Sequence, residues 1–309
     1  SQYNGPLVAG VRGGIWSASC EVDSNELECV QPLLAETNDV GSAFNPKIVA
    51  GVNRRLVVWE QLKGGKTEIW ANSSSNSGSS WGAPIKVSSN NSGIAYLPHI
   101  AATANFSEVV AVWQQDGVWT NRFQVSTGTW GVAQMIGTPN FQNTGAPKIA
   151  LDATGKGAVV WSQSDGTRHN IYGKPYLGQG AWGTTELVEG HNGGAAINPQ
   201  IAVSPAAGGG NPVVVWSELD GTRQDIWASQ KLPGPGWSAP QLIETDNTFG
   251  TATPDVAVDA NGNAMAVWGQ GDGTRSNILA NRYEPVGKLG GQWGFPQLVE
   301  FFNGLVGGV

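Results

Sequence analysis

Three observations predict an all-β, six-bladed propeller. The chain repeats itself about every 50 residues, each repeat carries four short apolar runs, and turn-forming residues separate the runs. The repeats open at Asn45-Pro46-Lys47-Ile48, Leu97-Pro98-His99-Ile100, Ala146-Pro147-Lys148-Ile149, Asn198-Pro199-Gln200-Ile201 and Thr253-Pro254-Asp255-Val256, so five full units start near 46, 98, 147, 199 and 254. Four antiparallel strands in a unit of this length is the pattern of a propeller blade. No stretch carries apolar residues at helical spacing with caps, so helices are not expected.

Within each repeat the first strand follows the proline. The second ends in a tryptophan: Trp59, Trp113, Trp161, Trp216 and Trp268. Ten residues on stands an apolar residue, Ile69, Phe123, Ile171, Ile226 or Ile278, and that constant spacing predicts one fixed hairpin in every copy. A second tryptophan, Trp81, Trp130, Trp182, Trp237 or Trp293, opens the fourth strand. Trp16, Trp70 and Trp227 fall in third strands. Thirteen of the 14 tryptophans therefore sit at repeating positions, as rings that fill the wedge between twisted sheets should. The remaining one, Trp119, falls in the expected hairpin of the second repeat, where it would be exposed and able to contact a ligand.

The ends supply a sixth blade from 1–36 plus 304–309. Gly14-Ile15-Trp16-Ser17-Ala18 matches a third strand and Pro32-Leu33-Leu34-Ala35-Glu36 the close of a fourth. Gly5-Pro6-Leu7-Val8 would be a short second strand, and Gly304 to Val309 the missing first strand. Pairing the two termini in one blade would close the ring and remove sheet edges, making residues 1–309 a single domain.

Composition narrows the function. The net charge is −7 and no block of Lys and Arg offsets it, which argues against a nucleic-acid partner. No segment has the roughly 20 apolar residues needed for a transmembrane helix. The start, Ser1-Gln2-Tyr3, reads as a processed end. Cys20 and Cys29 flank a polar hairpin that would place the sulfurs opposite each other, and a disulfide there fits an exported protein. No cofactor motif is present.

Ser74-Ser75-Asn76-Ser77-Gly78-Ser79-Ser80-Trp81 resembles the Asp box of bacterial-neuraminidase-repeat propellers, with Asn76 in place of the aspartate. Ser126-Thr127-Gly128-Thr129-Trp130 is a shortened form. The resemblance implies a six-bladed fold shared by sialidases and by non-enzymatic secreted binding proteins, with the box as a structural turn. The sialidase chemistry does not carry over. Tyr283 and Glu284 are adjacent and so point to opposite faces of a strand, and Arg12 lacks the family's motif. The chain is expected to belong to the non-enzymatic branch.

Three consecutive repeats carry an identical hairpin, Asp165-Gly166-Thr167-Arg168, Asp220-Gly221-Thr222-Arg223 and Asp272-Gly273-Thr274-Arg275. Asp-Gly makes a tight turn, and the turn itself does not require the arginine. Each Arg168, Arg223 and Arg275 either pairs with an aspartate of its own or a neighbouring loop, or lines a rim that holds carboxylate or hydroxyl-rich ligands. His169 and His191 fall on the same face and form a candidate metal pair, set against ordinary loop histidines. The residues after the repeat prolines, Lys47, His99, Lys148, Gln200 and Asp255, would ring the mouth of a central channel. The expectation is a non-catalytic binding or scaffold protein that takes a glycan or protein partner through its loop face. An accessory subunit of an extracellular assembly and a glycan hydrolase or lyase are the alternatives.

Overall fold

The computed structural model describes residues 13–18, 20–23, 26–29, 31–37, 41–88, 93–137, 144–190, 193–206, 211–219, 221–245, 249–285 and 291–299. Among these every regular element is a strand. No helix is long and apolar enough to cross a membrane. Residues 5–8 and 304–309, Arg12, His191 and Asp220, on which parts of the sequence reading rest, lie outside the described residues.

The N-terminal segment gives β1 (Trp16–Ser17), β2 (Cys20–Asp23), β3 (Glu26–Cys29) and β4 (Leu33–Leu34). The first full repeat forms β5 (Ala43–Ala50), β6 (Arg55–Lys63), β7 (Lys66–Ser74) and β8 (Ile85–Lys86). The second forms β9 (Tyr96–Ala102), β10 (Val109–Gln114), β11 (Val118–Gln124), β12 (Thr129–Trp130) and β13 (Gln134–Met135). The third forms β14 (Lys148–Leu151), β15 (Gly157–Ser164), β16 (His169–Gly178), β17 (Ala181–Trp182) and β18 (Glu186–Leu187). The fourth forms β19 (Ala196–Ala202), β20 (Val213–Leu219), β21 (Gln224–Gln230) and β22 (Gln241–Leu242). The fifth forms β23 (Thr251–Val258), β24 (Ala264–Gly271), β25 (Ser276–Pro285), β26 (Gly291–Trp293) and β27 (Gln297–Leu298).

Each full repeat forms its own antiparallel sheet of four or five strands in sequence order, the construction of a propeller blade. Compactness divides the chain into two units, residues 1–161 with 174–185 and residues 162–173 with 186–309, and the third repeat contributes to both.

The repeat's first strand is bulged where its proline sits. The register shifts between Phe44 and Lys47, between Ile197 and Gln200, and between Ala252 and Asp255. Asn45 and Asn198, just before two of these prolines, adopt φ of 48° and 54°. Proline has no N–H to give to a ladder, so a bulge is the ordinary way to hold one inside a strand.

The fourth strand is not continuous, contrary to expectation. In the second, third and fifth repeats the tryptophan pairs with the end of the third strand, as in Phe123↔Trp130, Tyr176↔Trp182 and Tyr283↔Trp293. A separate two-residue strand pairs with the beginning of the third strand, as in Trp119↔Met135 and Leu279↔Leu298. Pro84, Pro240 and Pro296 fall in the gap, where a missing N–H costs no ladder bond.

The second-strand tryptophans are the core. Trp59, Trp113, Trp161 and Trp216 have no exposed surface and Trp268 has 2%. In the first unit Trp113 packs with Leu56, Ile69, Val87 and Ile100. In the second unit Trp268 packs with Val215, Ile226, Ile243 and Tyr283. Trp16 pairs with Leu34, and Ala35 N–H donates to the Ile15 carbonyl at 2.8 Å, as Val87 N–H donates to the Ile69 carbonyl at 2.8 Å. The N-terminal segment thus holds the third and fourth strand positions read from its sequence.

Cys20 lies across from Cys29 in the β2–β3 hairpin, and the two are joined by a disulfide. Such a bond persists in oxidising compartments. In the Asp-box-like turn, Asn76 Oδ1 accepts from Ser80 N–H at 3.0 Å, and Gly78 N–H donates to Ser74 Oγ at 2.9 Å. This polar turn is complete with asparagine in place of aspartate.

Candidate functional site

The repeated hairpins owe their shape to their aspartates. Asp165 Oδ1 accepts from the Thr167 N–H at 2.8 Å, the Thr167 hydroxyl at 2.6 Å and the Arg168 N–H at 3.1 Å. Its Oδ2 accepts from Asn170 Nδ2 at 2.9 Å. Asp272 repeats the arrangement with Thr274, Arg275 and Asn277. The threonine hydroxyls foremost, with the asparagine amides and backbone N–H groups, hold both carboxyls well below the usual carboxylate range. Gly166 and Gly273 supply φ of 99° and 90°, which a side chain would resist. Asp165 and Asp272 are therefore committed to the turn. Asp220 lies outside the described residues.

The arginines of these like hairpins have unlike partners. Arg168 donates from Nε to Asn170 Oδ1 at 2.9 Å and sits 3.8 Å from Glu189 Oε1. Arg223 makes a two-pronged pair with Asp225, Nε to Oδ1 at 2.6 Å and Nη2 to Oδ2 at 3.4 Å. Arg275 Nε lies 3.4 Å from Asp272 Oδ2. Arg275 shows the pairing within its own Asp-Gly-Thr-Arg turn. The residue two positions on takes the guanidinium at Arg168 and Arg223, as Asn170 and Asp225 respectively.

Behind these hairpins in the second unit are buried carboxyls that the sequence reading missed. Glu189 has no exposed surface, and neither of its oxygens has a hydrogen-bond partner. Beside it Glu218 accepts from Trp216 Nε1 at 3.0 Å and from Gly194 N–H at 3.2 Å. In the next repeat Glu244 accepts a long bond from Gln270 Nε2 at 3.4 Å, and Gln270 accepts from Trp268 Nε1 at 3.0 Å. Burial first, then the nearby Glu218, pushes Glu189 up to about 7, against the pull of Arg168. Burial and then Asp225 push Glu244 up to about 7 as well, against the pull of Arg223. For Glu218 the signal was legible. A Gln or Glu stands two residues after each second-strand tryptophan, and Trp59 and Trp113 likewise donate to Gln61 and Gln115 at 2.8 and 3.0 Å.

Trp119 is not in a hairpin. It lies on β11 opposite Trp113, half-buried against the core, and its Nε1 is buried without a partner. The second-repeat hairpin is five residues shorter than its sisters: Val118 takes the place of Ile69, and Phe123 falls further along the strand. The turn closes at Asp116 and Gly117, with φ of 50° and 135°. Trp119 thus stands where Trp70 and Trp227 stand, opposite the second-strand tryptophan.

His169 opens β16 with its Nδ1 buried and lacking a hydrogen-bond partner. His191, its suggested metal partner, lies outside the described residues, and no cluster of three metal-ligating side chains is found among the described ones. In the first unit His99 is pulled down to about 3 by burial and by the charges of Lys148 and Lys47. Its Nδ1 accepts from Ile149 N–H at 3.4 Å.

No protein-family profile matches the chain, and no curated protein is similar to it in sequence. Solved structures do resemble it. A protein of unknown function from Dyadobacter fermentans matches with a TM-score of 0.54 at 11% identity, over 80% of each chain. An ulvan lyase of a new polysaccharide lyase family matches with a TM-score of 0.54 at 9% identity, over 81% of this chain and 66% of the lyase. A triple arginine-to-alanine mutant of AofleA from Arthrobotrys oligospora matches with a TM-score of 0.52 at 12% identity, over 89% and 77%. At these identities the similarity is one of fold, and it agrees with a propeller-like arrangement of sheets.

Proposed function

We propose that the chain is an exported, non-catalytic binding protein, a single six-bladed ring closed by its terminal segments, that takes a glycan or protein partner on its hairpin face. The observation that carries this reading is that the arginines are surplus to the turns that bear them. Aspartate, threonine and asparagine complete the turns at Asp165 and Asp272, yet Arg168, Arg223 and Arg275 recur at one position with side chains 25%, 22% and 42% exposed. A guanidinium fork kept at a rim suits hydroxyl or carboxylate recognition, and repetition suits a ligand that itself repeats. Enzymes, by contrast, gather one unique set of groups.

One observation favours the alternative of a glycan hydrolase or lyase. A carboxyl raised to about 7, as at Glu189, is what a general acid needs. Its complete burial keeps it from any substrate unless the hairpin moves. A glycan array comparing wild type with Arg223→Ala tests the binding reading, which expects a specific signal that the variant loses. Silence across the array together with co-purification of a second chain would favour the accessory-subunit alternative. Turnover of a chromogenic glycoside that vanishes in Glu189→Gln would overturn the non-catalytic reading.

A further inference from the structure

The tyrosines at the far end of two third strands, Tyr176 and Tyr283, pair alike with the tryptophan that follows and lie against unlike neighbours. In the first unit Tyr176 donates its hydroxyl to Glu108, and Arg122 closes on the same carboxylate, Nη2 to Oε2 at 3.1 Å. Arginine, carboxylate and phenol together fill that junction. In the second unit Tyr283 donates instead to Gln230 Oε1 at 2.8 Å. Gln230 stands where Arg122 does: the Gly131 N–H donates to the Arg122 carbonyl, and the Ser238 N–H donates to the Gln230 carbonyl. Val110 pairs with Arg122 and Val213 with Gln230, so Asn211 takes the place of Glu108. Both charged groups of the sister junction are replaced by smaller neutral ones.

A cavity of about 380 Å³ opens there, lined by Val213, Ser229, Gln230, Ser238, Tyr283 and Trp293 among others. That volume is at the lower end of the range for small-molecule sites. We propose that this cavity between the sheets of the fourth and fifth repeats binds a neutral, hydroxyl-bearing ring the size of one hexose unit. Its aromatic wall is the Tyr283–Trp293 pair, with ring centroids 5.5 Å apart and planes at 56°, against which the apolar face of a sugar ring packs. Its polar wall is held in place. Ser229 Oγ donates to the Ser238 carbonyl at 2.9 Å, and the Gln230 N–H donates to Ser238 Oγ at 3.0 Å. No charged side chain lines the cavity among the described residues, so an ionic ligand entering it would lose its hydration without gaining a counter-ion. The inference does not rest on the hairpin-face reading, because none of the three hairpin arginines lines this cavity.

The test uses neutral methyl hexopyranosides as probes, with the matching methyl glucuronide as the charged control. Binding is read from the resonances of 5-fluorotryptophan-labelled protein, with the Trp293 signal assigned from Trp293→Phe. The expected result is a saturable shift of the Trp293 signal with a neutral glycoside and at least tenfold weaker binding of the glucuronide. Asn211→Glu with Gln230→Arg, which restores the sister junction's pair, should abolish the shift, and Arg223→Ala should leave it unchanged. Tyr283→Phe keeps the ring, guards against misfolding of the double variant and should weaken binding several-fold. The proposal is overturned if no neutral glycoside moves the Trp293 signal, if the glucuronide binds equally well, or if folded double variant still binds. Loss of the shift in Arg223→Ala would assign the sugar to the hairpin face and equally refute it.

Discussion

Replacing Glu189 and Glu244 by glutamine should change how stability depends on pH. Each carboxyl is raised from 4.5 to about 7 in the folded chain, chiefly by burial. A carboxyl raised on folding contributes stability that is fully present below its unfolded value near 4.5 and is lost as pH rises through 7. A shift of this size corresponds to at most about 3 kcal/mol per group. His99 acts in the opposite direction over a lower window. Its value falls from 6.5 to about 3, so its contribution is present above 6.5 and is lost as pH drops towards 3. With two glutamates opposing one histidine, wild type should be most stable near pH 4.5 and should weaken steadily towards pH 8. Above pH 4.5 the double glutamine variant keeps the histidine limb without the opposing glutamates, so between pH 6.5 and 8 its stability should be flat. Urea midpoints followed by tryptophan fluorescence at pH 4.5, 6.5 and 8 measure both. A wild-type midpoint that holds or rises from pH 6.5 to 8, or a fall that persists in the double variant, would refute the burial argument.

Two further outcomes follow from packing and connectivity. Trp161→Ala empties a fully buried site and should cost about 3–5 kcal/mol in urea unfolding, whereas Trp227→Ala, on a half-buried ring, should cost clearly less; equal costs would contradict the wedge role of the second-strand rings. Cys20→Ser with Cys29→Ser opens a link between residues 9 apart and removes at most about 3 kcal/mol of chain-entropy stabilisation. Because β2 and β3 form a sheet of their own, exchange protection should fall in that hairpin and hold in the five full repeats; a loss spread through the repeats would show that the hairpin supports more than itself.

The sheets were legible because their signals repeat. A proline, an apolar run to a tryptophan, and a second tryptophan recur in five copies, and each copy forms its own sheet. The errors arose where one copy departs from the others. Ten residues after Trp113 stands Phe123, but the hairpin at Asp116-Gly117 is five residues shorter than its sisters, so Trp119 lies on the third strand and not in the turn. The split fourth strand was missed because its prolines read as part of one continuous run. At the hairpins, the aspartate's role in the turn was legible from Asp-Gly-Thr. The arginine's partner was not, because it depends on whether the third strand presents Asn170 or Asp225 two residues on, and on a glutamate that closes the fourth strand some 20 residues later. Such contacts join residues that are close only once the sheet has formed.

Departures from the repeat are also where specificity can reside. At the close of the fourth strand the chain reads Ser88, Gly137, Glu189 and Glu244 in successive repeats. Ser88 leaves a space of about 160 Å³ beside Gln115, whereas Glu189 at the equivalent place is fully buried and Glu244 accepts from Gln270. At the opposite ends of the strands, the Arg122–Glu108 pair occupies one junction, and a cavity opens beside Gln230 and Tyr283 at another. Second-strand tryptophans recur along the chain, and Trp59, Trp113 and Trp268 each pack against residues of the segment before their own repeat, which gives these junctions a common frame. The side chains that fill that frame differ in size and charge from one junction to the next. A ligand that met only the common features would bind every junction alike, whereas one that needs an open, uncharged space meets the described residues between the fourth and fifth repeats. For a chain of this design, function is better sought by comparing its own repeats for the junction that is left unfilled than by seeking a motif common to all of them.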